Sequence, residues 1–96
     1  MKPSLALELQ RPDIRAAMAK HRASNPRVFG SALHGTDSEG SDLDLLVDTL
    51  PGATLFDLGG LQAQLEGLLG VLVDVLTLND LPVKFREQVL AESRAV

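Results

Sequence analysis

Apolar residues recur along this chain with two different spacings. In residues 11–24, "RPDIRAAMAKHRAS", Ile14, Ala17, Met18 and His21 fall at helical intervals, and the segment is predicted to be a helix. Pro12 and Asp13 suit its first turn, where proline lacks only an N–H that would be orphaned and a carboxylate meets the positive end of the dipole. Asn25-Pro26 is expected to end it. Two apolar runs, "RVFGS" and "DLDLLVD", read as strands, and the polar, glycine-rich "ALHGTDSEG" between them as a short helix or turn. Thr54 followed three residues on by Asp57 predicts a capping box, with Leu58, Leu61, Leu65, Leu68 and Leu69 on one face of the helix behind it and Gly70 at its end. "VLVDVLT" is a third strand, and "VKFREQVLAESRAV" a last helix with Phe85, Val89 and Leu90 on one side. Residues 1–10 show no clear period and are expected to be a loose arm. Strands alternating with helices imply an α/β or α+β chain with one sheet covered by helices.

The length of 96 residues fits one domain, a single unit over residues 1–96, too small to close a deep cleft alone. With 45% hydrophobic and 23% charged residues it is expected to fold as a soluble protein. A formal net charge of -4 offers no broad basic field, and aromatics at 3%, all phenylalanine, offer no base-stacking platform; direct nucleic-acid binding is not expected. There is no cysteine, hence no disulfide, thiolate metal site or cysteine nucleophile. With no signal peptide and no apolar run of membrane-spanning length, the expected location is the cytoplasm.

The candidate chemistry lies in "GSALHGTDSEGSDLDLLVD". Asp42 and Asp44 are two apart, which on a strand puts both carboxylates on one face with Cα atoms about 6–7 Å apart. Asp74 lies between Val73 and Val75, where an unpaired buried carboxylate would cost several kcal/mol and a bound cation would offset that cost. If its strand lies beside that of Asp44, the three form an oxygen-rich site of the kind magnesium and manganese prefer, and two such ions would serve in-line phosphoryl or nucleotidyl transfer. Gly30-Ser31 would let backbone N–H groups and a hydroxyl approach a phosphate, with Gly35 and Gly40 bending the loop around a nucleotide.

Singly, these features have plainer explanations: Gly30-Ser31 as an ordinary turn, Asp42 and Asp44 as solvated strand-edge acids, Asp74 as an acid paired with a surface arginine. A calcium loop in "DSEGSDLD" fails on register, since counting from Gly40 puts Gly35 where an aspartate belongs and Leu46 where the glutamate belongs. His21 is expected to be a partly buried structural residue, and Arg11, Arg15, Lys20, Arg22 and Arg27 a solvated face or a partner-facing patch.

Taken together, Gly30-Ser31, Gly35 and Ser41-Asp42-x-Asp44-Leu45-x-Val47, with Asp74 and the closing "LPVKFREQVLAE", resemble the minimal nucleotidyltransferases of the DNA polymerase β-like superfamily. The resemblance implies a mixed three-stranded sheet with flanking helices, ATP as substrate and two magnesium ions. It implies metal ligation and catalysis by Asp42, Asp44 and Asp74, and nucleotide binding by Gly30, Ser31, His34, Gly35 and Ser41. It also implies an antitoxin that transfers AMP to a tyrosine of a HEPN-domain ribonuclease toxin within a hetero-oligomer. His34 stands where many relatives have arginine, a weaker anchor for phosphate than guanidinium. The rival functions are an antitoxin that neutralises by binding alone and a nucleotidyltransferase module acting on a small molecule.

Overall fold

The computed structural model describes residues 1–96. Its helices and strands follow in the order α1 (Pro3–Leu9), α2 (Arg11–Lys20), β1 (Ala23–Phe29), α3 (Ser31–His34), β2 (Leu43–Thr49), α4 (Leu55–Leu69), β3 (Val73–Leu76), α5 (Val83–Glu92) and β4 (Arg94–Ala95), with a 3-10 turn at Leu78–Asp80 before α5. One mixed sheet runs β3-β2-β1-β4, parallel between β2 and β3 and antiparallel elsewhere. This is a small α+β fold with one four-stranded mixed sheet.

Alternation along β2 sets the faces of the sheet. Leu43, Leu45 and Val47 point into the main core, built with Ile14, Ala17 and Met18 of α2, Leu61, Leu65 and Leu69 of α4, and Val73 and Val75 of β3. Asp44, Leu46 and Asp48 take the other face, where Leu46 is fully buried outside that core. The Thr54 capping box forms, with Thr54 N–H donating to Asp57 Oδ2 at 2.8 Å, and Gly70 closes α4 in the left-handed conformation. Leu68, expected in the apolar stripe, is only partly covered, at 39% exposed. The outer edge of β3 is covered by α4 side chains, with Val73 N–H donating to Glu66 Oε2 at 3.0 Å and Val75 N–H to Gln62 Oε1 at 3.3 Å.

Sequence expectations at both ends of the chain and around Pro26 require correction. Residues 1–10 are not a loose arm: Pro3 starts α1, and Ala6 and Leu7 enter the core. The first long helix ends at Lys20, because Arg22 turns at φ 51°, and β1 begins before Pro26. The strand accommodates that proline at a register irregularity between Ser24 and Arg27, where Asn25 has φ 52° and no ladder N–H is required of Pro26. The last helix stops at Glu92, and the chain turns back as β4, so the sheet has four strands rather than three. Arg11 Nη1 and Arg15 Nη1 hold the tail by donating to the carbonyls of Ala95 at 3.1 Å and Val96 at 3.3 Å, which gives two of the arginines expected on a solvated or partner-facing patch a structural task. Lastly, α5 buries none of its residues, leaving Val83, Phe85 and Leu90 exposed.

Candidate active site

Asp44 is the residue around which the site is built. Antiparallel pairing sets it opposite Phe29, one residue before Gly30, and parallel pairing sets it level with Asp74. Gly30 has φ 73° and ψ -152°, a conformation open almost only to glycine. A side chain there would also collide with the Asp44 carboxylate. Glycine is thus required twice, by the backbone turn and by the acid lying against its Cα.

Asp44 is half-buried, and its carboxyl is pushed up to about 6, first by burial, then by the charge of Asp74 and a hydrogen bond with it, and last by the charge of Asp42. The salt bridges of the chain involve none of these three acids. Mutual repulsion without a compensating cation marks a place where a divalent ion would be welcome, and carboxylate oxygens are the donors that magnesium takes. Asp44 and Asp74 are neighbours on one face, while Asp42, just ahead of β2, is exposed and acts through its charge. No three His, Asp or Glu side chains close around a common point. The donor set therefore fits a divalent ion in chemistry, with Asp44 and Asp74 as its assembled part.

The other residues divide. Ser31 opens α3, and the amides of Leu33 and His34 donate back to the Gly30 carbonyl at 3.1 and 3.2 Å, leaving those of Ser31 and Ala32 without an intrahelical acceptor. Gly35 ends α3 with φ 70°. Ser41 is engaged in its own turn, its Oγ accepting from Ser38 N–H at 3.0 Å. His34 Nε2 lies 3.4 Å from Glu92 Oε2, beside a cavity of about 410 Å³ that includes Ala91, Ser93 and Arg94 but none of the three aspartates. His21 is a half-buried partner of Gln64, at 2.7 Å. Arg22 binds the Gly52 carbonyl and Arg27 binds Asp48, so neither forms a free basic patch. Sequence reasoning passed over Asp37, the one buried charged side chain, whose only local signal is an acid between two glycines.

The raised Asp44 carboxyl has a measurable consequence. The folded protein binds this proton more tightly than the unfolded chain, whose aspartates titrate near ~4. Without divalent ions, the Asp44 contribution to stability should therefore fall as pH rises from about 4 to about 6. Asp44→Asn should lack that contribution and melt higher at pH 7. Melting temperatures in EDTA across this range, read as the difference between the two proteins, check it; parallel curves would refute it.

Comparison with known proteins gives the family of the chain. Residues 13–96 match the family described as polymerase beta, nucleotidyltransferase. Two Methanocaldococcus jannaschii proteins, both provisionally named protein adenylyltransferases, are 37% identical over 76 residues and 31% identical over 74. The alignments cover 79% of this chain and 82% of the first relative, and 77% and 76% for the second. A solved structure provisionally described as a minimal nucleotidyltransferase superposes with a TM-score of 0.86 at 43% identity, covering 97% of this chain and 95% of that one. A crystal structure of a toxin-antitoxin with AMP-PNP superposes with a TM-score of 0.73 over 88% of this chain and 69% of that one, and at 21% identity shares the fold alone. From its sheet, its Gly30–Asp44–Asp74 arrangement and a family match that runs from α2 to the last residue, this chain belongs to the polymerase β nucleotidyltransferase family.

Proposed function

We propose that this nucleotidyltransferase moves AMP from ATP onto a tyrosine hydroxyl of a HEPN-domain ribonuclease toxin, with magnesium, and so acts as its antitoxin. The observation that carries the transfer chemistry is Asp44, half-buried without a counter-charge, fitted against Gly30 and level with Asp74. The names of the Methanocaldococcus jannaschii relatives support a protein as acceptor, and the family resemblance of the sequence supports the toxin. In the transfer, the tyrosine oxygen bonds to the α-phosphorus, the bond to the β-phosphate oxygen breaks, pyrophosphate leaves and the phenolic proton is released. Magnesium held by Asp42, Asp44 and Asp74 would supply charge neutralisation on the phosphates and a more acidic acceptor hydroxyl. The turn at Gly30 and Ser31 would hold the triphosphate through amides and a hydroxyl, and Asp74 would lie nearest the acceptor. The acceptor belongs to another protein, since this chain has no tyrosine.

A binding-only antitoxin is the second reading, and α5 favours it, because Val83 and Leu90, seven residues apart on one side of the helix, and Phe85 are exposed apolar side chains that a partner would cover. Dose separates the two. A small molar fraction of this protein, incubated with active toxin, ATP and magnesium and then removed, should leave the toxin inactive on RNA and heavier by one or more AMP groups. ATP binding measured by calorimetry should disappear in EDTA. Restored RNA cleavage with an unmodified toxin mass would assign the protection to binding.

A further inference from the structure

The loop from Gly35 to Ser41 joins the two halves of the site, the Gly30-Ser31 turn and the Asp42/Asp44 strand entrance. Its other members are glycines or polar residues, exposed or half-exposed, yet Asp37 in its middle is only 6% exposed. Both carboxylate oxygens are occupied across the molecule: Oδ2 accepts the Ser4 backbone N–H at 2.8 Å and Oδ1 accepts the Ser4 hydroxyl at 3.0 Å. Ser4 belongs to α1, which is held in the core by Ala6 and Leu7.

The tether reaches further than Asp37 itself. Residues 38–41 form a closed turn, with Ser38 N–H donating to Ser41 Oγ and Ser41 N–H donating to the Ser38 carbonyl, each at 3.0 Å. Asp42 follows directly. On either side of the tether, Gly35 at φ 70° and Gly40 at φ 90° are the positions where an untethered loop would swing most freely. A fixed point between two such hinges is thereby coupled, through the closed turn, to Asp42 and the entry of β2. The Asp37 carboxyl is held below the usual carboxylate range, first by the Ser4 backbone hydrogen bond, which outweighs burial, so it stays ionised and both bonds are charge-assisted at neutral pH.

We propose that Asp37 and Ser4 form a clasp between α1 and the loop, and that they are positioning residues that hold the Ser31 turn and Asp42 ready for the nucleotide. This rests on the nucleotidyl-transfer reading above only in its second half; the clasp on the loop stands apart from any substrate. Residues 3–9, which carry Ser4, lie ahead of the stretch matched to the family.

Hydrogen exchange read by mass spectrometry on the ligand-free protein tests the first half, with wild type, Asp37→Asn, Ser4→Ala and, as a loop control, Thr36→Ala, whose side chain is exposed. Amides of residues 35–42 should exchange about tenfold faster in Asp37→Asn, less so in Ser4→Ala, which keeps the backbone bond, and at the wild-type rate in Thr36→Ala, with β1 and β2 protected throughout. Steady-state transfer tests the second half: KM for ATP should rise about tenfold in Asp37→Asn with kcat within about twofold, because only the fraction of loops in the competent arrangement binds. Unchanged loop exchange in Ser4→Ala and in folded Asp37→Asn overturns the clasp, as does faster exchange with an unaltered KM for its positioning role. Should Asp37→Asn fail to fold, Ser4→Ala alone decides by the same two readouts. Wild-type protein that neither binds nor turns over ATP would sink the transfer reading, while the exchange comparison would still decide the clasp.

Discussion

Asp44→Asn is expected to abolish nucleotidyl transfer, lowering kcat by about 10³-fold or more, equivalent to roughly 4 kcal/mol of transition-state stabilisation. Asparagine keeps the size of the side chain and its fit against Gly30, so the fold has no reason to suffer. What it removes is one negative charge from the level shared with Asp74, where charge on the phosphates would otherwise be met by a bound cation. The loss should therefore accompany a gain in the stability of the metal-free protein, two effects of opposite sign from one atom's replacement. Asp48→Asn is the matched control. Asp48 has the same side-chain orientation on β2, four residues on, but it is exposed and pairs with Arg27 at 2.7 Å and Asn25 at 3.0 Å. Transfer by that variant should stay within about twofold of wild type, since an exposed ion pair contributes little beyond its own neighbourhood. Equal losses in both variants, or an active Asp44→Asn, would remove Asp44 from the chemistry.

Gly30→Ala should damage both fold and activity. Its φ of 73° and ψ of -152° cost any residue with a Cβ about 1–3 kcal/mol, and the added methyl must displace the Asp44 carboxylate as well. We expect destabilisation of at least about 2 kcal/mol and loss of transfer comparable to that of Asp44→Asn. Gly35→Ala separates strain from collision. Gly35 also has a positive φ, of 70°, but a Cβ there would meet nothing within 4 Å, so the cost should be about 1 kcal/mol. Chemical denaturation of both variants, with transfer assayed in parallel, provides the check. If Gly30→Ala keeps wild-type activity, the close approach of Asp44 to the turn has no part in the reaction.

Much of the scaffold was legible along the chain because its signals are local. Thr54 and Asp57 satisfy each other within one turn, so the start of α4 can be read from four residues. Alternation in "DLDLLVD" assigns Leu43, Leu45 and Val47 to one face and Asp44 to the other before any partner strand is known. An acid between two valines is anomalous by itself, and the pairing of β2 with β3 explains the anomaly by bringing Asp74 level with Asp44.

Other features have no local signature. The first ten residues look aperiodic, yet seven form α1, because the core beneath accepts Ala6 and Leu7 and the Asp37 carboxylate takes up two donors of Ser4. Arg94 and Ala95 continue the sequence of a helix, but they become a strand when β1 offers an open edge and Arg11 and Arg15 bind the carbonyls of the tail. Pro26, a breaker by composition, sits inside β1 because a register irregularity falls beside it. By itself the sequence determined which residues share a face, where α4 begins and ends, and which acids stand out as candidates for chemistry, since each depends on neighbours a few residues away. Tertiary structure alone decided that Asp44 lies against Gly30, that the sheet has a fourth strand, and that Asp37 is tied to a helix 33 residues earlier. Those depend on groups far apart in the chain, whose meeting is favoured only once the core has covered the loop-closure entropy of bringing them together.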